Sequence, residues 1–313
     1  KNKEPNPAAT NITFTSENPS TRTSITHSIG DGARPFWSVG DRIWVKDVNG
    51  TWQKSSEGTF SSDMSNGVFS FSSGTFRDNC EVHYTGANGA AADKVTIAHE
   101  QRQSNPNDFS HAGVSGDCGM GVAKGNGERF KFKLSHKSSY ICFLPQSSNE
   151  KLVKDGKLIK IEVISKDNIA GTFDFSNGVL SPTRTRTTDS DKKITLITGD
   201  GFSLDKSTNI GKNGSYIVIA PGNHKLTVRY WLHYKKYGEE IKGTVTKTFT
   251  LNCEAGKIYD IKAKLDPTDY SYKKYYMWDC AIGQDYWKGY EQYQPKIKNA
   301  ADYSHYPMSV KDP

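Results

Sequence analysis

Side chains able to do chemistry are plentiful in this 313-residue chain, but their spacing is wrong for most known chemistries. The eight histidines include His83, His99, His111, His136, His224 and His233, and none stands in an HxH or HExxH pattern. The five cysteines, Cys80, Cys118, Cys142, Cys253 and Cys280, form no CxxC or CxxH pair. Local zinc-ligand spacing is therefore missing, and an odd count forbids complete pairing within the chain. Cys142 and Cys253 lie in strand-like runs and read as buried free thiols. His136 follows an apolar alternation and is the histidine closest to a catalytic placement. No base or nucleophile accompanies it, so it reads as a structural side chain at a strand end. There is no GxSxG elbow and no Walker loop, and the glycine-rich stretch 113–127 lacks a following helix signal. Asp189/Asp191 and Glu239/Glu240 sit in polar turns and read as solvated charge. A glycosidase pair would need a separation that only a fold can set. The expectation is a non-enzyme that uses no cofactor and no metal.

Two other features bear on recognition rather than catalysis. Arg22, in the polar segment Thr21-Arg22-Thr23, is a candidate site of proteolytic processing, because exposed loops are where proteases cut. Near the C-terminus, Trp278, Tyr286 and Trp287 stand among many tyrosines and are the candidate ligand contacts. Aromatic rings of this kind stack on sugars or fill a partner's pocket, and equally cover an apolar flank of their own protein.

The elements that must position these residues are short strands. Aromatic residues make up 12% of the chain, and Gly, Ser, Thr and Asn punctuate brief apolar runs. No long segment keeps the helical i, i+3, i+4, i+7 pattern, so the fold is expected to be all-β. Residues 1–10 read as a polar leader, and Ile12, Thr13, Phe14 and Thr15 form a first strand. Phe36 to Val45 carries a Gly40-Asp41 turn that places Ile43 and Val45 on one strand face. Residues 42–53 predict a hairpin around Asn49-Gly50. Further strands are expected at 67–71, 80–84 and 95–97, followed by a long irregular stretch from Ala98 to Gly127. Phe130-Lys131-Phe132-Lys133-Leu134 then alternates cleanly, while Tyr140-Ile141-Cys142-Phe143-Leu144 is continuously apolar, as in a strand buried on both faces. Strands follow at 158–163, 171–175, 194–197, 216–219, 226–231, 245–251 and 258–265. This spacing predicts two β-sandwich domains, 1–127 and 128–267, and an irregular aromatic-rich tail, 268–313.

The formal charge of +7 raises nucleic acid as a partner. Several of the lysines alternate with apolar residues, as Lys131 and Lys133 do, which is the pattern of a solvated strand face, so no nucleic-acid partner is expected. No segment approaches the roughly 20 apolar residues of a membrane-spanning helix.

Taken in order, these motifs resemble the fimbrillin family of Bacteroides-type bacteria, the FimA/Mfa-like pilins and adhesin subunits. Ile12-Thr13-Phe14 followed by Thr21-Arg22-Thr23 resembles the family's start, and Phe36 to Val45 resembles its W-x-x-G-D-x-I-x-V element. Ile97 to Gln103 resembles an I-P-x-x-Q-x-Q element, with Ala98 in place of proline. Phe132 to His136 resembles the strand that opens the second domain, and Tyr216 to Gly222 and Gly256 to Tyr259 resemble late strands. The resemblance implies two tandem transthyretin-like sandwiches. It also implies export as a lipoprotein to the cell surface, with the outer membrane reached through a lipid anchor before Lys1. Assembly with other fimbrial subunits is implied as well. There, a trypsin-like protease would cut after Arg22, the strand Ile12–Thr15 would leave, and a neighbour's strand would fill its groove. The alternative is a surface glycan-binding lipoprotein that does not polymerise. Host or bacterial surface glycans and proteins are the further partners of either reading.

Overall fold

The computed structural model describes residues 11–17, 24–87, 89–182, 188–236, 239–266, 275–279, 284–285 and 309–311. The chain opens with β1 (Ile12–Ser16), β2 (Ser24–Thr26), β3 (Arg34–Phe36), β4 (Trp44–Lys46), β5 (Trp52–Lys54) and β6 (Thr59–Phe60). It continues with β7 (Gly67–Phe71), β8 (Cys80–Tyr84), β9 (Lys94–Ile97), β10 (Glu100–Gln103), helix α1 (Ala112–Ser115), β11 (Gly119–Gly125) and β12 (Arg129–His136). Then follow β13 (Ser139–Gln146), α2 (Glu150–Asp155), β14 (Lys157–Ile164), β15 (Gly171–Asp174), β16 (Ser181–Pro182) and β17 (Lys193–Ser203). Next come α3 (Ile210–Asn213), β18 (Ser215–Ile219), β19 (Gly222–Lys236), β20 (Glu239–Cys253) and β21 (Ile258–Lys264). Three short strands, β22 (Tyr275–Asp279), β23 (Gln284–Asp285) and β24 (Ser309–Lys311), complete the order. The protein is thus built mostly of β-sheet, with a few short helices. None of the described helices is long and apolar enough to cross a membrane.

Two large hydrophobic cores organise the strands, with a small cluster of Val95, Cys118 and Phe175 besides. The smaller core lies on an eight-stranded sheet of order β5-β4-β8-β11-β12-β1-β7-β6. It is dominated by aromatic rings: Phe14, Trp37, Phe69, Phe71, Phe76, Tyr84, Phe130 and Phe132. The larger core is shared by a five-stranded sheet, β10-β17-β14-β19-β20, and a three-stranded sheet, β18-β13-β21. Strand β13 is the middle of the latter, and all its residues from Ser139 to Pro145 are buried. That is why its sequence is continuously apolar rather than alternating. In β12 the alternation is perfect: Phe130, Phe132 and Leu134 are buried while Arg129, Lys131 and Lys133 are exposed.

Three placements differ from the sequence expectations. First, 98–127 is not irregular, since it holds β10, α1 and β11. Strand β11 was hidden because it has few large apolar residues. It pairs with β8 on one side and β12 on the other, and a Cβ at Gly121 would stand 2.1 Å from the Lys133 carbonyl oxygen. Second, β12 belongs to the sheet and core of the first half rather than opening the second. Conversely, Ile25, Ile97, Phe109 and Ala112 pack into the larger core. Third, the tail contains strand structure, with β22 pairing both β23 and β24. Its run of consecutive aromatics masked any period of two.

Candidate functional site

Strand β1 occupies an interior slot of the eight-stranded sheet. It runs parallel to β12, with Thr13 opposite Arg129 and Ser16 opposite Phe132. It runs antiparallel to β7, with Ile12 opposite Phe71 and Thr15 opposite Val68. Its ends are fixed by further backbone bonds: the Thr13 amide donates to the Glu128 carbonyl at 2.9 Å, and the Glu17 amide to the Phe132 carbonyl at 2.7 Å. An interior strand satisfies its own donors and acceptors on both edges, together with those of both neighbours. Removing β1 would therefore expose two facing strand edges, those of β7 and β12.

Alternation along Ile12-Thr13-Phe14-Thr15-Ser16 decides what the slot is lined with. Phe14 is completely buried. Its ring stacks on Phe130 at 4.5 Å between centroids and meets Phe71 and Phe76 edge-on, each at 5.1 Å. Ser16, two residues on, faces the same side. Its hydroxyl oxygen accepts from the Trp37 indole at 3.0 Å and from the Gly67 amide at 2.8 Å. The strand thus offers its partner sheet one large apolar plug and one polar anchor.

The W-x-x-G-D-x-I-x-V element builds part of the same core. Trp37 packs against Phe69 at 4.9 Å, Tyr84 at 5.8 Å and Phe60 at 6.0 Å. Gly40 has φ +93°, a left-handed conformation that glycine adopts without strain. This turns Asp41 inward, where its carboxylate accepts from the Ser38 amide at 2.8 Å and the Tyr84 hydroxyl at 3.2 Å. Ile43 and Val45 then enter the core on one face, as expected, and the regular strand begins at Trp44. The hairpin at Asn49-Gly50 pairs β4 with β5. Asp47 closes it by accepting from the Asn49 and Thr51 amides and from the Gln53 side chain, whose bond leads in holding the Asp47 carboxyl below its usual range.

The Q-x-Q element has a different task. Strand β10 pairs through its backbone with β17, while the side chains of Gln101 and Gln103 turn to β18, an edge strand of the other sheet. Gln101 accepts from the Val218 amide at 2.9 Å and donates to the Val218 carbonyl at 2.8 Å. Gln103 accepts from the Tyr216 amide and donates to the Gly214 carbonyl, both at 2.8 Å. Two buried amides therefore replace a missing strand and stitch the two sheets of the larger core together. Sequence alternation alone did not reveal this, because buried glutamines look like an exposed polar run.

His136 joins a buried cluster. Its Nδ1 lies 3.0 Å from Asp117 and 2.7 Å from the Tyr140 hydroxyl, which itself donates to Asp117. Burial, with Asp117 beside it, pushes the Tyr140 phenol well above its ordinary range. The cluster joins the segment before β11 to the end of β12 and the start of β13. Cys80, Cys118, Cys142 and Cys253 are buried free thiols, and burial raises the pKa of each.

Arg22, Tyr286 and Trp287 lie outside the described residues, and Trp278 lies on β22 with Asp285 as its ladder partner.

No family model matches the chain, and no curated protein matches it. Among solved structures it is similar to a candidate cell adhesion protein from Bacteroides ovatus, with 15% identity over 83% of this chain and 93% of that one, at a TM-score of 0.49. A candidate cell adhesion protein from Bacteroides fragilis has 13% identity over 82% and 94% of the two chains, at 0.47. The fimbrial anchor protein Mfa2 from Porphyromonas gingivalis has 8% identity over 88% and 94%, at 0.34. The structural neighbours of this chain are thus candidate cell adhesion proteins and fimbrial proteins of Bacteroides and Porphyromonas.

Proposed function

We propose that this protein is a non-enzymatic cell-surface fimbrial or adhesin subunit that assembles by strand addition. On this reading the two cores are tandem transthyretin-like sandwiches and β1 is the removable strand. Arg22, between β1 and β2, is the processing position. The observation that carries the proposal is the interior place of β1, hydrogen-bonded on both edges and plugged by Phe14. A vacated slot of this kind suits an incoming strand, whose backbone would bond to β7 and β12 while a large apolar side chain refilled the Phe14 position. The motif order supports the same assignment. Other fimbrial subunits are the partners it implies, with a lipid anchor holding the assembly at the outer membrane.

Limited trypsin digestion followed by mass spectrometry tests it. Cleavage after Arg22 is expected, followed by a polymer ladder on unheated gels that collapses on heating. Protection of Arg22 would overturn the processing step. Cleavage without a ladder would leave the non-polymerising glycan-binding lipoprotein, for which Trp278 and Trp287 variants on a glycan array are the direct test.

A further inference from the structure

We propose that His27, Cys142 and Asp260 form a zinc-type divalent-metal site on the three-stranded sheet of the larger core. Cys142 on β13 is the ladder partner of Asp260 on β21 and, on the other side, of Tyr216 on β18. Directly opposed residues of neighbouring strands share a face and stand about 5 Å apart at Cβ. The sheet thus sets a row of phenol, thiol and carboxylate. His27, immediately after β2, comes down on this row from a distant part of the chain. Its Nε2 lies 2.7 Å from Asp260 Oδ1. One ligand atom from each of His27, Cys142 and Asp260 falls within 4.8 Å of the others.

The donor set fits the ion. Zinc takes thiolate, imidazole and carboxylate at about 2.0–2.3 Å, which places ligand atoms of a tetrahedral site roughly 3.3–3.8 Å apart. The 2.7 Å contact between His27 and Asp260 and the 4.8 Å outer bound on the three ligand atoms bracket that spacing. The carboxylate is already oriented: Asp260 Oδ2 accepts from the Gly30 amide at 2.8 Å, leaving Oδ1 directed at His27. Outer partners of this kind are what hold metal ligands in place. Tyr216 borders the row, its ring edge-on to His27 and its hydroxyl donating to Asn107 at 2.5 Å. A pocket of about 140 Å³ opens at His27, lined also by Asp31 and Arg34, and Asp260 is partly exposed, so two of the three ligands are reached from solvent. On binding, the thiol proton of Cys142 would leave to solvent and the imidazole would keep its proton on Nδ1. The consequence is structural: the ion would clamp the segment after β2 to β13 and β21. The inference is independent of whether β1 is exchanged.

The test is cobalt and zinc binding to the full chain after treatment with a chelator. One Co²⁺ per chain is expected, with a sulfur-to-cobalt charge-transfer band and tetrahedral ligand-field bands, both displaced by Zn²⁺. Cys142→Ser should abolish the charge-transfer band, while Cys118→Ser and Cys280→Ser keep it. His27→Gln and Asp260→Asn, which retain hydrogen-bonding capacity, should each weaken Zn²⁺ affinity at least about 10–100-fold, the loss typical of even an outer partner. Absence of the band in the parent chain, or its survival in Cys142→Ser, would overturn the site. If Cys142→Ser does not fold, unchanged affinity in both His27→Gln and Asp260→Asn would overturn it equally.

Discussion

Replacing Phe14 by alanine probes the slot directly. The side chain is fully buried, and three aromatic neighbours sit within 5.1 Å between ring centroids. Truncating a buried phenylalanine costs about 3–5 kcal/mol, as lost transfer energy plus the cavity left behind. Aromatic pairing adds roughly 0.5–1.5 kcal/mol per pair beyond area. The cavity cannot readily collapse, because Phe71 and Phe130 are fixed on the two strands that flank β1. The upper half of the range is therefore expected. Hydrogen exchange read by mass spectrometry is the suitable assay, since it resolves the two cores. Protected amides of β7 and β12 should exchange faster by roughly three to four orders of magnitude, at about 1.4 kcal/mol per factor of ten. Those of β13 and β14 in the larger core should change little. Phe14→Leu, which conserves much of the volume, should cost about 1.5 kcal/mol or less. A loss below about 1 kcal/mol for Phe14→Ala, or equal acceleration in both cores, would refute the reasoning that β1 plugs a separable core.

Three further outcomes are expected. A chain beginning at Ser24, and so lacking β1, should capture a synthetic peptide spanning Asn11 to Glu17 by fluorescence anisotropy. The same peptide with Phe14→Ala should bind at least about 100-fold more weakly, and equal binding would contradict the role of the plug. Gln101→Leu should destabilise the larger core by about 2–5 kcal/mol in chemical denaturation, because it leaves the Val218 amide and carbonyl without their partner. A neutral result would show that β18 does not depend on the glutamine bridge. Lowering the pH should weaken the fold through His111. Burial lowers its pKa from 6.5 to about 4, outweighing the opposing effect of Asp108. The unfolded chain thus takes up the proton first, and stability falls as pH drops from about 6.5 to 4, by at most about 3 kcal/mol from this group. Melting temperatures of the parent and His111→Gln should converge as pH falls through that window, and parallel curves would disprove the assignment.

Sequence alone determined those elements whose side-chain pattern matches their surroundings. Phe130 to Leu134 alternates because one face meets the core and the other meets water. Tyr140 to Leu144 does not alternate because both faces are covered. Asn49-Gly50 marks a hairpin through local turn chemistry, and Gly40-Asp41 marks the turn that sends Ile43 and Val45 inward. The first strand at Ile12–Thr15 was legible for the same reason. Its place was not: pairing partners are long-range, so nothing in five residues says that β1 lies parallel to β12, 116 positions on in the ladder register, or in a sheet interior. Tertiary structure also decided the fate of polar residues. Gln101 and Gln103 read as exposed until β18 supplies the backbone groups they bond. Cys142 read as an inert thiol until the parallel ladder sets Asp260 beside it and the loop after β2 brings His27 across. Ligands drawn from three distant segments leave no spacing in the sequence, because their proximity is a property of strand register and packing rather than of the local chain.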